Sequence, residues 1–247
     1  MNRNIIGFLL GLVGAYLFVL GTGGIELPGL NFQLSGAGQA LALIAGLALA
    51  LGVAIWLSRG YNPERDDVSI VRNPTFIQFL FESPRSAPLW LGVRIFVGLN
   101  WLLSGFGKIT NPDWMNGSSL EAFWSRAVAI PESGRPSITF DWYRTFLEGL
   151  LSGGHQAWFA PLVAVGETTV GLALILGAFV GIAAFFGGFM NMNFMLAGSA
   201  SSNPLLFTLA VLLVLAWKVA GYYGLDRYLL PKLGAPWEPG PLLRRMT

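Results

Sequence analysis

A carboxylate at Glu167 and a guanidinium at Arg94 each sit in the middle of a long apolar run. Glu167 lies in Phe159–Val180, FAPLVAVGETTVGLALILGAFV, and Arg94 in Leu89–Ile109, LWLGVRIFVGLNWLLSGFGKI. A charge at bilayer depth costs roughly 2.5–3.5 kcal/mol on insertion scales, so it faces a partner or a functional cavity. Opposite signs in neighbouring runs point to a pair with bidentate Arg–carboxylate geometry. Such a pair either fixes helix register or floors a pocket for a quinone head or small anion, with Glu167 handling protons.

Arg94, Trp101 and Lys108 recur at seven-residue intervals and share one helix face, with Gly98 and Gly105 close to it. On the antiparallel neighbour Glu167 is followed by Thr168, Thr169 and Gly171. At about 1.5 Å per residue, Arg94 stands roughly 11 Å and Glu167 roughly 16 Å above the inner boundary, a mismatch that an arginine side chain spans. Asn100 and Asn193 fall in the outer halves of their runs, with Asn191 near the latter. They either hydrogen-bond a neighbouring helix or touch a substrate. Lys108, at the outer boundary, snorkels to the headgroups or draws a small anion to the pocket mouth. Lys218, Tyr222 and Asp226 are four apart and align on a face of the last run, where Lys218 snorkels or pairs with Asp226. His155 reads as a surface residue.

Composition limits the chemistry. Of 247 residues, 54% are hydrophobic and 11% charged, with a mean hydropathy of +0.60. Soluble domains carry about 25% charged residues, so the chain reads as an all-α integral membrane protein whose first partner is the lipid bilayer. The net charge of +2 is spread over loops and tail, which excludes a nucleic-acid role. With no cysteine and one histidine, the chain holds no disulfide, thiol relay, Cys-ligated cluster or bis-His haem of its own, and no metal site is expected. Redox work then needs an organic cofactor, a quinone or another subunit.

Six apolar runs approach the roughly 20 residues that span a bilayer. They lie at Ile5–Gly21, Gln39–Leu57, Ala87–Ile109, Ala157–Ala178, Phe179–Ala200 and Pro204–Gly224. No A-x-A cleavage site follows the first, which is read as a retained helix. One set of loops carries Arg3, Arg59, Arg65, Arg72, Arg85, Arg227, Lys232, Arg244 and Arg245; the other carries Lys108, Arg126, Arg135 and Arg144. The excess on the first set predicts six spans with both termini inside.

Residues 1–72 are expected to give two spans and a polar hinge containing YNPERDD, and residues 73–247 four spans. Pro74–Pro84 is amphipathic and suits the inner surface. The outer loop, residues 110–156, is long enough to be more than a connection. Ser118 or Ser119 starts a helix through Val128, and a second runs Phe140–Leu151 and stops at Gly153–Gly154. Trp114, Trp124, Trp142 and Trp158 suit an interface. Gly7/Gly11 and Gly177/Gly181 have the GxxxG spacing of close helix packing.

Three strings carry a family resemblance: LGVRIFVGLNWLLSGFGKITNPDW, VAVGETTVGLALILGAFVGIAAFFGGFMNMNFMLAGSASSNP and WKVAGYYGLDRYLLPKLG. The Arg of the first helix, the G-x-x-K at Gly105–Lys108, the Glu before a glycine-bearing helix, and the exit Gly224, Asp226, Leu229, Pro231 together resemble the DoxX/DoxD family over residues 86–234. The resemblance implies a four-helix DoxX-like bundle with two additional N-terminal spans. The DoxD branch is the small subunit of thiosulfate:quinone oxidoreductase, so it also implies a plasma-membrane subunit acting with other subunits of a membrane redox complex. Glu167 and Arg94 are then the expected catalytic pair. Trp101, Lys108, Asn100 and Asn193 border the quinone, and Lys108, Arg126, Arg135 and Arg144 gather thiosulfate. The alternative is a non-catalytic accessory subunit of a larger respiratory or photosynthetic complex.

Overall fold

The computed structural model describes residues 3–22, 34, 36–59 and 73–234. The YNPERDD hinge, Arg65, Arg72, Arg244 and Arg245 lie outside the described residues. In chain order the helices are α1 (Arg3–Thr22), α2 (Gly36–Ser58), α3 (Thr75–Glu82), α4 (Ala87–Ile109), α5 (Pro112–Met115) and α6 (Ser118–Val128). They continue with α7 (Asp141–Ser152), α8 (Gln156–Leu176), α9 (Val180–Leu196), α10 (Asn203–Leu215), α11 (Trp217–Ala220) and α12 (Asp226–Lys232). No strand occurs among the described residues.

By length and composition three helices can cross a membrane: Gly36–Leu57, Pro84–Ile109 and Gln156–Leu176. Ile5–Leu17, Val180–Leu196 and Asn203–Leu215 are shorter apolar helices. Helices suit a bilayer, because lipid offers backbone groups no hydrogen bonds and a helix satisfies them internally.

The chain forms two compact units: Met1–Arg72 with Ala127–Ser152, and Asn73–Arg126 with Gly153–Thr247. The expected division at residue 72 is therefore crossed by the segment carrying α7. In the first unit α1 and α2 form an antiparallel hairpin. A methyl group on Gly21 would lie 2.7 Å from Leu43 N, and one on Gly7 2.9 Å from Leu57 Cδ1, so glycine lets the helices approach. Gly11 meets nothing within 4 Å and takes no part in a GxxxG contact. α7 joins α2, where the Trp142 N–H donates to Gln39 Oε1 over 3.2 Å.

In the second unit α4 packs on α8, α8 on α9, α9 on α10, and α10 returns to α4. Ala87, Trp90, Arg94, Val97, Gly98, Trp101 and Gly105 form the buried stripe of α4, and Ala160, Ala164, Glu167, Val170, Gly171 and Leu174 that of α8. Spacings of three and four put each set on one face. The α4–α8 crossing depends on glycine: a methyl on Gly171 would lie 2.7 Å from Leu102 Cα and 2.8 Å from Gly98 O. At the N-terminal end of α8 Trp124 meets Phe159 edge-on at 5.4 Å, which holds α6 against α8. α6 and α7 lie within a residue of the expected helices, but Ser118 does not cap α6; its N–H and Oγ–H bond to Asn116 Oδ1 instead.

The boundary expected between Ala157–Ala178 and Phe179–Ala200 falls at Gly177, whose φ of 68° closes α8 with an Ala178 N–H to Ala173 O bond. Gly177/Gly181 is therefore a turn rather than a GxxxG face. The last run breaks at Ala216, and Gly221–Gly224 is not helical, so Lys218, Tyr222 and Asp226 share no continuous helix face.

Candidate functional site

Two separate polar clusters occupy the second unit. In the one at the C-terminal end of α4, Lys108 Nζ lies 2.6 Å from Glu167 Oε2 and 2.6 Å from Ser104 Oγ. Glu167 is fully buried, and the Lys108 side chain is 15% exposed. Lys108 follows Gly105 by one turn at the end of the buried α4 stripe, so its stem turns inward. Trp114 of α5 and Phe194 of α9 flank the ammonium at 5.1 and 5.9 Å from their ring centres. The expectation that Lys108 snorkels is corrected: its ammonium turns to the Glu167 carboxylate on the neighbouring helix.

The other cluster surrounds Arg94. Its Nη2–H donates to Tyr223 O over 3.0 Å, and its charge faces Asp226. Asp226 accepts from Phe179 N–H and, over 2.9 Å, from Val180 N–H. It thus caps α9 from the start of α12 and fills the place of the missing preceding turn. Burial pushes its carboxyl above the ordinary carboxylate range; the Val180 and Phe179 amides and the Arg94 guanidinium pull it back. Phe179 takes a left-handed φ of 50°, held by that cap. Gly177 and Gly224 leave room for the guanidinium, since a methyl on Gly177 would lie 2.7 Å from Arg94 Cζ.

The expected Arg94–Glu167 pair is therefore not formed. α4 and α8 run antiparallel, with Gly98 against Gly171 and Gly105 against Ala164 and Thr168. That register sets Glu167 beside the C-terminal end of α4 and leaves Arg94 beside the α8–α9 turn. The Asp226 carboxylate serves the backbone of α9.

Trp101 lies on the expected face, 3% exposed, and its indole N–H has no partner. Asn100 and Asn193 do not join it. Each is half-buried and donates to the carbonyl four residues back in its own helix, Phe96 O and Phe189 O, over 2.8 Å. The asparagine that faces inward is Asn191, fully buried with neither amide atom bonded. The readable signal was its place on the small-residue stripe Ala184, Gly187, Gly188; Asn193 falls on the opposite side of α9 with Phe186 and Phe189. Glu167 Oε1 is likewise unpartnered.

Of the expected anion-gathering arginines, Arg144 is tied locally, donating to Ile138 O over 2.9 Å and meeting Asp141 at 3.4 Å. Arg126 and Arg135 are exposed. His155 is exposed and receives the Trp158 indole N–H at 3.2 Å. Among the described residues no three His, Cys, Asp or Glu side chains gather to hold a metal. Compared with protein-family models, curated proteins and solved structures, the chain matches none.

Proposed function

We propose that the chain is the membrane subunit of a quinone-linked oxidoreductase of DoxX/DoxD type, with six spans and both termini on the cytoplasmic side of the plasma membrane. The observation that carries this reading is a buried carboxylate, Glu167, held by Lys108 through one oxygen with the other unpartnered. Unpartnered buried groups are rare and mark ligand or proton chemistry more often than packing. The donors present suit a quinone: the Trp101 N–H and the Asn191 amide can each bond a carbonyl oxygen. A quinone bound there supplies a lipid-soluble electron acceptor. Glu167 is the proton-handling group, Lys108 positions it, and Arg94 braces the bundle. Thiosulfate is the electron donor that the resemblance implies, and the reaction requires a partner subunit.

The test is thiosulfate-dependent quinone reduction in native membranes. Glu167→Gln should lower the rate at least about tenfold at unchanged protein level, the range of a proton-transfer group. An unchanged rate excludes Glu167 from the chemistry.

A second reading is a non-catalytic accessory subunit of a larger membrane complex. The Arg94–Asp226 cluster favours it, because a buried charge pair that caps a helix is structural use. Mild detergent purification separates the two: a large haem- or pigment-bearing assembly carrying this chain, with no thiosulfate-dependent reduction, supports the second reading.

A further inference from the structure

We propose that Glu167, Asn191 and Trp101 bind one hydroxyl group between α4, α8 and α9, supplied by a quinol head or an internal water; the quinol source rests on the quinone reading above. α8 and α9 form an antiparallel hairpin. Trp101 Nε1 and Val170 Cγ1 lie 2.9 and 3.2 Å from the point a methyl on Gly187 would occupy, which sets the register. One turn outward on each helix stand Glu167, three residues before Val170, and Asn191, four after Gly187. They occupy the same level, and Lys108 confirms it by reaching both Glu167 and the ring of Phe194, three residues beyond Asn191.

The donor and acceptor inventory selects the guest. An indole N–H only donates, a carboxylate oxygen only accepts, and an amide does both. All of these atoms are buried and unpartnered. A quinone carbonyl accepts from Trp101 and Asn191 but offers Glu167 Oε1 nothing. A hydroxyl accepts from the indole and amide N–H groups and donates to the carboxylate, leaving only Asn191 Oδ1, which the second hydrogen of a water satisfies. Gly187 lets the indole approach the α9 backbone closely, and a methyl there would displace it.

The experiment uses the full chain in lipid nanodiscs, with a short-chain benzoquinol and the matching benzoquinone as probes. Quinol is expected to bind the wild type more tightly than quinone. Asn191→Leu and Trp101→Phe should each weaken quinol binding roughly three- to tenfold, the scale of one neutral hydrogen bond. Gly187→Ala should act in the same direction, and Thr208→Val, on the exposed side of α10, should change nothing. If neither probe binds, the internal-water source predicts an infrared O–H band that shifts in ¹⁸O-water and disappears in Asn191→Leu. Asn191→Ser replaces Asn191→Leu if the latter does not fold. Equal binding of both probes to every variant overturns the hydroxyl site while leaving the quinone reading standing. No probe binding and no such band overturns both.

Discussion

Lys108 Nζ stands 2.6 Å from Glu167 Oε2, so the buried carboxylate of α8 is answered from the C-terminal end of α4 and not from its middle. The pair joins two helices whose glycines already bring them into backbone contact. Breaking it leaves a charge in a place that lipid and packing both deny to water.

Removing one partner of a buried pair costs about 3–5 kcal/mol, whereas replacing both by apolar groups is close to neutral. Lys108→Met is therefore expected to destabilise the protein by that amount. Lys108→Met with Glu167→Met should recover most of it. Thermal unfolding of the single and double variants in detergent measures the difference; an unaltered Lys108→Met protein would show that the pair carries no stability.

Asp226 acts on the far side of the bundle, capping α9 while facing Arg94. Asp226→Ala should cost about 0.5–2 kcal/mol for the lost cap, with a further loss from the uncompensated guanidinium. Asp226→Asn keeps one acceptor and should lose less. Limited proteolysis at the Gly177–Phe179 turn, together with unfolding, tests this: cleavage should speed up in Asp226→Ala and in Arg94→Leu.

Close helix contact makes glycine positions unequal. Gly171→Ala drives a methyl into the Leu102 backbone, which cannot swing away, and overpacking of this kind costs about 1–3 kcal/mol. Gly92 on the same α4 helix meets nothing within 4 Å, so Gly92→Ala should be neutral or stabilising. Equal melting temperatures for the two variants would contradict the α4–α8 contact.

Outside the spans, burial pushes the Tyr143 phenol from 10.0 to about 12. The fold disfavours its phenolate, so the unfolded chain releases that proton first. This group leaves stability unchanged below pH 10.0, lowers it as pH rises from there to about 12, and adds no further loss above. Tyr143→Phe should flatten that part of the alkaline unfolding profile, followed by circular dichroism.

The chemistry-bearing residues Glu167, Arg94, Trp101 and Lys108 were legible because a charge in an apolar run stands out against its neighbours, and seven-residue spacing places three of them on one face. The apolar lengths likewise determined a helical membrane protein, and the turn residues placed α6 and α7. Which charge answers which was not legible. Opposite signs suggested Arg94 with Glu167, yet the antiparallel register, set by backbone contacts at Gly98, Gly105 and Gly171, carries the two apart along the helix axis. Nor did the spacing of Lys218, Tyr222 and Asp226 survive, since it assumed a helix that ends at Ala220. Asn191 and Asn193 are two residues apart in sequence and lie on opposite faces of α9, and only the packing of α8 decides which face is inside. The sequence by itself determined the helices and their polar residues, because those follow from local composition and period. The tertiary structure decided the pairings, because they depend on helix register and on where each helix breaks.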